Sequence, residues 1–407
     1  MLEFPFPNQH RVHEILRHRR DGLCREACGS AIFSTMNHPS PSVPENPEPP
    51  RSRKRIVGYD FARALAIFGM VIVNFKIVMG AEKAGPHWLL DVFGLLDGRA
   101  AATFVVLAGA GLSLMTRNAR LDHDVAALAT NRARLLKRAL FLFVVGLCYT
   151  PLWPADILHF YGIYIAVGAL VLAASDRRLW GLAVAFVGGF VLMLLVFDYE
   201  AGWDWETLSY SGFWTPDGMI RHLFFNGFHP VFPWTAFLLM GMWLGRKDLR
   251  DPALRKRILL TSLIVAALAE GLSWLLIKAL SNGAADADVA ALFGTEPMPP
   301  MPLYLLAGTG TAIVVITGSI ALTERWATAR WIRPIVSTGR LALTLYVAHV
   351  VIGMGTLETL GILENQSPPF AIGSALLFCV LSIVFAHLWK QRFQHGPLEW
   401  VMRKLTG

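Results

Sequence analysis

Long apolar stretches recur along the chain from residue 61 to residue 395, separated by short polar connections. Many of them reach about 20 residues, the length that a helix needs to cross the hydrocarbon core of a membrane. We predict about ten spans, at 61–80, 100–116, 136–152, 157–174, 178–197, 230–245, 258–280, 302–322, 340–358 and 370–390. The pattern indicates an all-α, polytopic transmembrane helix bundle.

The composition supports a membrane protein rather than a soluble one. Hydrophobic residues make up 54% of the 407 residues and charged residues 16%, whereas an ordinary soluble domain has about 25% charged residues. The connections between the apolar stretches leave no room for a large soluble domain. Cys148 and Cys379 lie inside apolar stretches, so the four cysteines do not form the framework of a disulfide-rich fold.

The basic residues fall on alternate connections. They cluster at 51–55, 117–138, 177–178, 246–257, 325–333 and 390–404, and the intervening connections contain almost none beyond Arg221. By the positive-inside rule this pattern places both termini in the cytoplasm. Because membrane insertion accounts for the net charge of +8, nucleic acid is not an expected partner. We expect a multi-pass protein of the inner (plasma) membrane, in contact with the lipid bilayer.

The first 54 residues differ from the rest of the chain. The run NHPSPSVPENPEPPRSRKR is polar and rich in proline, and it cannot bury enough apolar surface to fold. We therefore predict a disordered cytoplasmic tail over 1–54, with Met36 as an alternative start, and a membrane domain over 55–407. The long aromatic connection at 198–229 is predicted to form a structured cap or short interfacial helices.

Charged side chains in the first span are candidates for function. Asp60 and Arg63 are three residues apart, and Asn74 returns to nearly the same helix face. Because a charge inside the bilayer costs about 2.5–3.5 kcal/mol, it needs a partner or a wet cavity. The stripe is either an ion pair that holds helices together or the polar wall of a cavity open to the cytoplasm. Lys76 faces the opposite side and is expected to snorkel to the helix end.

Two later spans also carry polar groups. In PADILHFYGIY, Asp156 and His159 are three residues apart at the start of a span, where Asp156 also suits a helix cap. In GRLALTLYVAHVV, Arg340 lies near the inner end and His349 about half way across. A single histidine in an apolar helix is commonly a hydrogen-bonded packing residue, and this interpretation stays open beside a functional one.

The stretch GPHWLLDVFGLLDGRAAATF, at 85–104, lies between the first two spans on the outer side of the predicted topology. It contains His87, Asp91, Asp97 and Arg99. An imidazole that a carboxylate orients can act as a general base near neutral pH. The alternative is a solvated loop with ordinary interfacial charges, and spacing alone does not decide between them.

Several motifs resemble one family. RIVGYDFARALAIFGMVIVNF, the histidine after it, the aspartate ten residues later and the small residues of FVVLAGAGLSLM resemble the heparan-alpha-glucosaminide N-acetyltransferase superfamily. PADILHFYGIY, FPWTAFLLMGMWLGR, GRLALTLYVAHV and GPLEWVMRKLT resemble its bacterial YeiB-like members. The resemblance covers nearly everything after residue 54. It divides the membrane domain into an acetyltransferase-like part, about 55–250, and a YeiB-like part, about 251–407.

The resemblance implies transmembrane acyl transfer. Acyl-CoA, with acetyl-CoA the expected donor substrate, would bind from the cytoplasmic side, and an extracytoplasmic sugar, lipid or envelope polymer would receive the acyl group. His87 matches the catalytic histidine of the family and Asp97 the acidic residue after it. The side chains expected to bind acyl-CoA or the acceptor are Asp60, Arg63, Asn74, Arg99, Asp156, His159, Arg340 and His349. No metal is expected, and a homodimer is left open.

Two questions stay open at this point. Transfer can be direct, with His87 as the base and His159 or Asn74 beside the oxyanion, or it can pass through an acyl-histidine. A proton-coupled transporter or exporter of a small solute is the alternative function, because intramembrane His, Asp and Arg with proline-broken helices suit it as well.

Overall fold

The computed structural model describes residues 55–81, 86–205, 207–281 and 287–407, without the side chain of His87. The predicted tail over 1–54 lies outside the described residues. The first seven helices are α1 (Gly58–Val78), α2 (His87–Gly94), α3 (Arg99–Met115), α4 (Arg117–Leu121), α5 (Val125–Tyr149), α6 (Leu158–Leu170) and α7 (Asp176–Val196). Each of the first five predicted spans coincides with one of the longer helices among them.

The segment after α7 forms the predicted cap. It contains two short antiparallel strands, β1 (Trp203–Asp204) and β2 (Ser209–Tyr210), then α8 (Pro216–Arg221) and a π-helical turn at His222–Asn226. Aromatic rings fill its interior; Trp203, for example, packs against Tyr210 and Phe228. We call this segment, 197–230, the aromatic cap.

The second half of the chain is again helical. It contains α9 (Val231–Leu244), α10 (Pro252–Leu280), α11 (Ala287–Phe293), α12 (Pro302–Arg325), α13 (Ile332–Gly339), α14 (Ala342–Ala348), a π-helical turn at His349–Met354, α15 (Gly355–Thr359), α16 (Pro368–Arg392) and α17 (Pro397–Thr406). α9 is interrupted near its start, where Phe232, the residue before Pro233, has non-helical backbone angles.

Within the described residues, seven helical stretches are long and apolar enough to cross a membrane: Gly58–Val78, Trp88–Met115, Asp176–Val196, Pro252–Leu280, Pro302–Arg325, Ala342–Thr359 and Pro368–Arg392. Two shorter apolar helices, α6 and α9, accompany them. The protein is therefore an all-α, multi-pass membrane protein. The count of about ten spans and the cytoplasmic position of both termini stay predictions.

Small residues bring the central helices together. A Cβ atom added at Gly109 of α3 would lie 2.0 Å from the carbonyl oxygen of Leu238 in α9, and one added at Gly241 would lie 2.0 Å from the carbonyl oxygen of Val106. Such close backbone approach is how helices associate in lipid, where the hydrophobic effect does not drive them together. Outer helices such as α7 and α16 expose large apolar side chains instead, including Leu192 and Leu377.

The two ends of the bundle differ in chemistry. We call the end that contains Asp60 and Arg340 the basic end, and the end covered by the aromatic cap the cap end. At the basic end Glu399 of α17 accepts hydrogen bonds from the amides of Leu343 (2.7 Å) and Thr344 (3.1 Å). These amides lie in the first turn of α14 and have no partner within that helix, so the terminal motif GPLEWVMRKLT fixes the start of α14 beside Arg340.

Candidate functional site

Three guanidinium groups surround one buried carboxylate at the basic end. The side chain of Asp60 is 1% exposed and accepts from Arg55 Nη2 at 2.7 Å, Arg63 Nη1 at 3.0 Å and Arg340 Nε at 3.1 Å. Arg63 also donates to the carbonyl oxygen of Gly339, at 3.4 Å. The predicted pair of Asp60 and Arg63 is present, and the fold adds Arg340 to it from 280 residues away.

This cluster has more positive than negative charge. One carboxylate offsets one of its three guanidiniums, and the side chains of Arg55 and Arg340 are 63% and 35% exposed. Guanidinium groups bind phosphate through paired N–H donors. The basic end can therefore hold a phosphorylated ligand while Asp60 keeps the arginines in place.

A second cluster lies deeper in the bundle, around Asp156. Its Oδ2 accepts from the ring Nδ1 of His159 at 2.9 Å and from the His159 amide at 3.2 Å. Its Oδ1 accepts from the hydroxyl of Tyr346 at 3.1 Å, and this hydroxyl accepts from the amide of Ile157 at 3.2 Å. Asp156 and His159 are both fully buried. The predicted capping role of Asp156 and its contact with the imidazole thus occur together.

These contacts fix the orientation of the His159 ring. Because a carboxylate oxygen can only accept, Nδ1 donates the proton, and the neutral ring has its free lone pair on Nε2. Among the described residues Nε2 has no hydrogen-bond partner. A histidine that donates from Nδ1 to a carboxylate and keeps Nε2 free has the arrangement that a general base requires.

Gly146 of α5 makes room for this cluster. A Cβ atom at residue 146 would lie 2.3 Å from the amide nitrogen of His159 and 2.8 Å from Oδ2 of Asp156. Any larger side chain would displace the start of α6.

His349 and Asn74 extend the cluster to α1. Nδ1 of His349 bonds to the carbonyl oxygen of Tyr346, so Nδ1 donates, and Nε2 accepts from the Asn74 amide at 3.0 Å. Both ring nitrogens are engaged with protein. This favours the interpretation of His349 as a packing residue that joins α1 to the π-helical turn.

An open pocket of about 430 Å³ lies at the cap end. It is lined by Lys76, Leu90, Asp91, Gly94, Leu95, Asp97, Arg99, Glu270, Thr295 and Glu296. We call it the acidic pocket, because four of its residues are carboxylic acids and two are cationic. A pocket of this size accommodates a small polar molecule or the end of a larger one.

Ion pairs organise the acidic pocket. Lys76 Nζ lies 2.6 Å from Oδ2 of Asp97, and Arg99 bonds to Glu270 and, at 3.2 Å, to the hydroxyl of Thr295. The expectation that Lys76 snorkels is wrong: its side chain is 4% exposed, because Asp97 at the start of α3 supplies a partner inside the bundle. Burial first, and then the charge of Asp97, raise the pKa of Glu296.

His87 is the first residue of α2, and its side chain lies outside the described residues. On an α-helix, residues three, four and seven positions apart share a face. Position 87 therefore shares its face with Leu90, Asp91 and Gly94, which line the acidic pocket. The predicted partnership of His87 with Asp97 stays a prediction.

The aromatic cap holds two further histidines, His222 and His229, near the His159 ring. The ring centroids of His159 and His222 are 6.0 Å apart, and Phe160 lies 5.3 Å from His222 and 6.0 Å from His229. Burial first, and then the neighbouring His159, lower the pKa of both cap histidines to about 3. They are therefore neutral at physiological pH.

Comparison with known proteins decides the family. Residues 55–281 match the model described as heparan-alpha-glucosaminide N-acetyltransferase, catalytic. The chain belongs to this family. Residues 244–407 match a second model, described as a protein of unknown function (DUF418). Most of the acidic pocket, Asp156 with His159, and most of the basic-end cluster lie within the catalytic match. Thr295, Glu296, Arg340, Tyr346 and His349 lie only in the second.

Curated relatives span nearly the whole chain. Uncharacterized protein YeiB of Escherichia coli (strain K12) is 24% identical over 87% of this chain and 96% of its own length. Uncharacterized protein YxaH of Bacillus subtilis (strain 168) is 20% identical over 88% of this chain and 96% of its own length. The chain is thus a YeiB-like member of the acetyltransferase family, as the motifs predict.

The acetyltransferase-family fold gathers the predicted site residues into three groups. Asp60, Arg63 and Arg340 meet at the basic end. Asn74, Asp156, His159 and His349 form a connected, buried cluster that contacts the aromatic cap. Asp97 and Arg99 line the acidic pocket. The sequence prediction left out Arg55, Lys76, Glu270, Thr295, Glu296 and Tyr346. Lys76 and Glu270 carry a usable signal as charges inside predicted spans, and so does Tyr346, which lies one turn before His349 in an apolar span.

Proposed function

We propose that this protein is a membrane acyltransferase that takes an acyl group, with acetyl the expected one, from cytoplasmic acyl-CoA and delivers it to an acceptor on the opposite side. Membership of a catalytic acetyltransferase family supports the reaction class. The observation that carries the proposal is the separation of chemistries along the bundle. An arginine cluster lies at one end, a carboxylate-rich pocket lies at the other, and a buried polar cluster around Asp156 lies inside the bundle.

The basic end has the charges needed to bind acyl-CoA, the proposed acyl donor. Coenzyme A carries phosphates that Arg55, Arg63 and Arg340 can bind through charge-assisted hydrogen bonds. With the phosphates there, the pantetheine arm would run along α1 and α14 and bring the thioester toward the Asp156 cluster. The positive-inside rule assigns this end to the cytoplasm, where acyl-CoA is available.

The acidic pocket has the hydrogen-bonding groups needed to bind the proposed acceptor of the acyl group. Carboxylates accept hydrogen bonds from hydroxyl and amine groups, and Lys76 and Arg99 donate to oxygen atoms. The sequence resemblance assigns the catalytic role to His87, which begins the helix that lines the pocket. Asp97 is the proposed orienting carboxylate.

The proposed step is a direct transfer. His87 takes the proton from the acceptor hydroxyl or amine while the acceptor oxygen or nitrogen bonds to the thioester carbon. The C–S bond breaks, and coenzyme A leaves as a thiolate. A positioned base of this kind contributes about 10²–10⁴-fold to the rate.

Replacement of His87 tests the proposal. We expect purified His87→Ala to lose about 10²-fold or more of acceptor-dependent release of free coenzyme A from acetyl-CoA, with washed membranes as the source of acceptor. Expression and melting temperature should match the wild type. His123→Asn, at an exposed histidine, is the control and should retain full turnover. Full turnover by His87→Ala would remove His87 from the reaction.

A transporter is the alternative, and binding and flux measurements separate the two. The acyltransferase should gain thermal stability with acetyl-CoA, because a ligand that binds only the folded state raises the melting temperature, and Arg340→Met should weaken the gain. Absence of a shift, together with solute movement across proteoliposomes, would support transport instead.

A further inference from the structure

We propose that the protein binds one anionic phospholipid in an open groove between the end of α6 and the start of α7. The site lies on a different surface of the bundle from the acidic pocket and the Asp156 cluster, so it does not depend on the proposed function. Its support comes from the lining of the groove, the depth of the groove in the membrane and the charges at its edge.

The groove has an apolar wall and a cationic group. Its volume is about 540 Å³, within the range of sites that hold a small molecule. Leu170, Val171 and Leu182 line it with apolar side chains, and Arg178 lines it with a guanidinium. Leu170 is 64% exposed. The groove can therefore accommodate a molecule with both an apolar chain and an anionic group.

The groove lies at the depth of the lipid headgroups. α6 begins beside the aromatic cap, where His159 contacts His222, so its last residue, Leu170, lies toward the opposite, basic end. There Trp180 of α7, which is 46% exposed, packs against Trp243 of α9 with 5.5 Å between the ring centroids. Tryptophan is enriched where the hydrocarbon meets the headgroups. An acyl chain in the groove would thus have its phosphate close to Arg178.

Arg178 offers its guanidinium to a ligand. Its amide donates to the hydroxyl of Ser175 at 3.3 Å, and its guanidinium has no partner among the described residues. The neighbouring carboxylate of Asp176 already accepts from Arg246 at 2.9 Å and from Lys247 at 2.8 Å. Because two other cations share Asp176, a phosphate is the matching counterion for Arg178.

The surrounding charges favour an anionic lipid over a zwitterionic one. Arg177 and Arg178 are both exposed, and Lys247 is 29% exposed. With Arg246, these side chains give four positive charges beside the one carboxylate of Asp176. Basic pockets between membrane helices bind anionic headgroups, and one such cation near the surface strengthens the binding about fivefold.

Arg246 keeps the edge of the groove in place. It donates to the carbonyl oxygens of Leu172 at 3.4 Å and Ala174 at 2.7 Å, in the connection between α6 and α7. Its side chain is 9% exposed. Because these bonds order the connection before a ligand arrives, binding costs little conformational entropy.

Native mass spectrometry with two lipids tests the proposal. Purified protein is titrated with phosphatidylglycerol and, separately, with phosphatidylcholine of the same acyl chains. We expect the first bound lipid to be phosphatidylglycerol, with a preference of about fivefold or more. Arg178→Gln should lose this preference, because the guanidinium that reads the anionic group is gone. Arg177→Gln is the matched control, since Arg177 is exposed but does not line the groove, and it should keep most of the preference.

A second pair of variants tests the groove itself. A Cβ atom at Gly181, which lines the groove, would meet nothing within 4 Å. Gly181→Leu should therefore fill the groove without disturbing the fold, and it should lose the first bound phosphatidylglycerol. Gly271→Leu in α10, where a Cβ also meets nothing within 4 Å, should bind as the wild type does. Wild-type melting temperatures for both variants in lipid-free detergent exclude misfolding as the cause.

The results separate a lipid site from the other sources of binding. Water-soluble glycerophosphoglycerol should not displace the lipid, because it has no acyl chain to occupy the groove; displacement at equal concentration would indicate a simple phosphate site and overturn the proposal. Equal binding of the two lipids by the wild type would overturn it as well. So would equal losses for Arg177→Gln and Arg178→Gln, which would show attraction by diffuse surface charge alone.

Discussion

At the scale of single residues, each buried charge of the described bundle that we assign to function has a partner from another part of the chain. Asp60 meets Arg340, Lys76 meets Asp97, and Asp156 meets Tyr346. Sequence spacing could predict the local contacts, such as Asp60 with Arg63, because residues three apart share a helix face. It could not predict partners in distant helices, and it misplaced Lys76 for the same reason.

Replacing Asp60 should destabilise the basic end. Asp60→Asn leaves three guanidiniums together without their carboxylate, and we expect it to lower the free energy of unfolding by about 1–3 kcal/mol. Arg55→Ala should cost less than about 1 kcal/mol, because the Arg55 side chain is 63% exposed. Melting temperatures of both variants in the same detergent measure the difference. Equal losses would contradict the central position of Asp60.

The cap histidines predict how stability depends on pH. The pKa of His222 and of His229 is lowered from 6.5 to about 3, so between these values the unfolded chain binds protons that the folded protein excludes. The contribution of these two histidines to the free energy of unfolding is therefore fully present above about pH 6.5. It is lost as the pH falls toward 3. Each histidine contributes up to about 1.4 kcal/mol per pH unit within this window.

Melting curves at stepped pH check this prediction. The double variant His222→Phe with His229→Phe should flatten the loss of stability below about pH 6.5. An unchanged slope in the double variant would show that other groups cause the acid sensitivity.

At the scale of helices, the hydrophobic pattern is sufficient to predict most of the bundle. Each predicted span coincides with a helix, although α6 and α9 are only 13 and 14 residues long. The short helices leave space that the aromatic cap fills. The sequence indicates a structured cap, but ring-to-ring contacts over 197–230, which bring His222 and His229 to His159, depend on tertiary packing that apolar periodicity does not encode.

Two glycines of α3 give a matched test of helix packing. A Cβ at Gly109 would lie 2.0 Å from the carbonyl oxygen of Leu238, whereas a Cβ at Gly111 would meet nothing within 4 Å. Gly109→Ala should push α3 away from α9 and lower the melting temperature by several degrees. Gly111→Ala should leave it unchanged or raise it, since alanine favours a helix by about 1 kcal/mol over glycine. Equal changes in the melting temperature of the two variants would contradict the close packing of α3 against α9.

At the scale of the whole molecule, acyl transfer across the membrane requires the two ends of the bundle to face opposite sides. We expect single cysteines at Trp88 and Lys256, in a background without the four native cysteines, to react with an impermeant maleimide from opposite faces of intact cells. Trp88 is the second residue of α2, the helix that lines the acidic pocket, and it is 65% exposed. Lys256 is an exposed residue near the start of α10, within the basic run at 246–257. Labelling of both from one face would break the proposed topology.

Vectorial acyl transfer is the central claim, and inside-out membrane vesicles test it most directly. These vesicles present the cytoplasmic face to the medium and enclose the outer face of the membrane with its native acceptors. With radiolabelled acetyl-CoA added outside, wild-type vesicles should accumulate label in a non-coenzyme product that is protected until detergent is added, and His87→Ala vesicles should not. Label that stays in acetyl-CoA, or equal accumulation by the two proteins, would contradict the account.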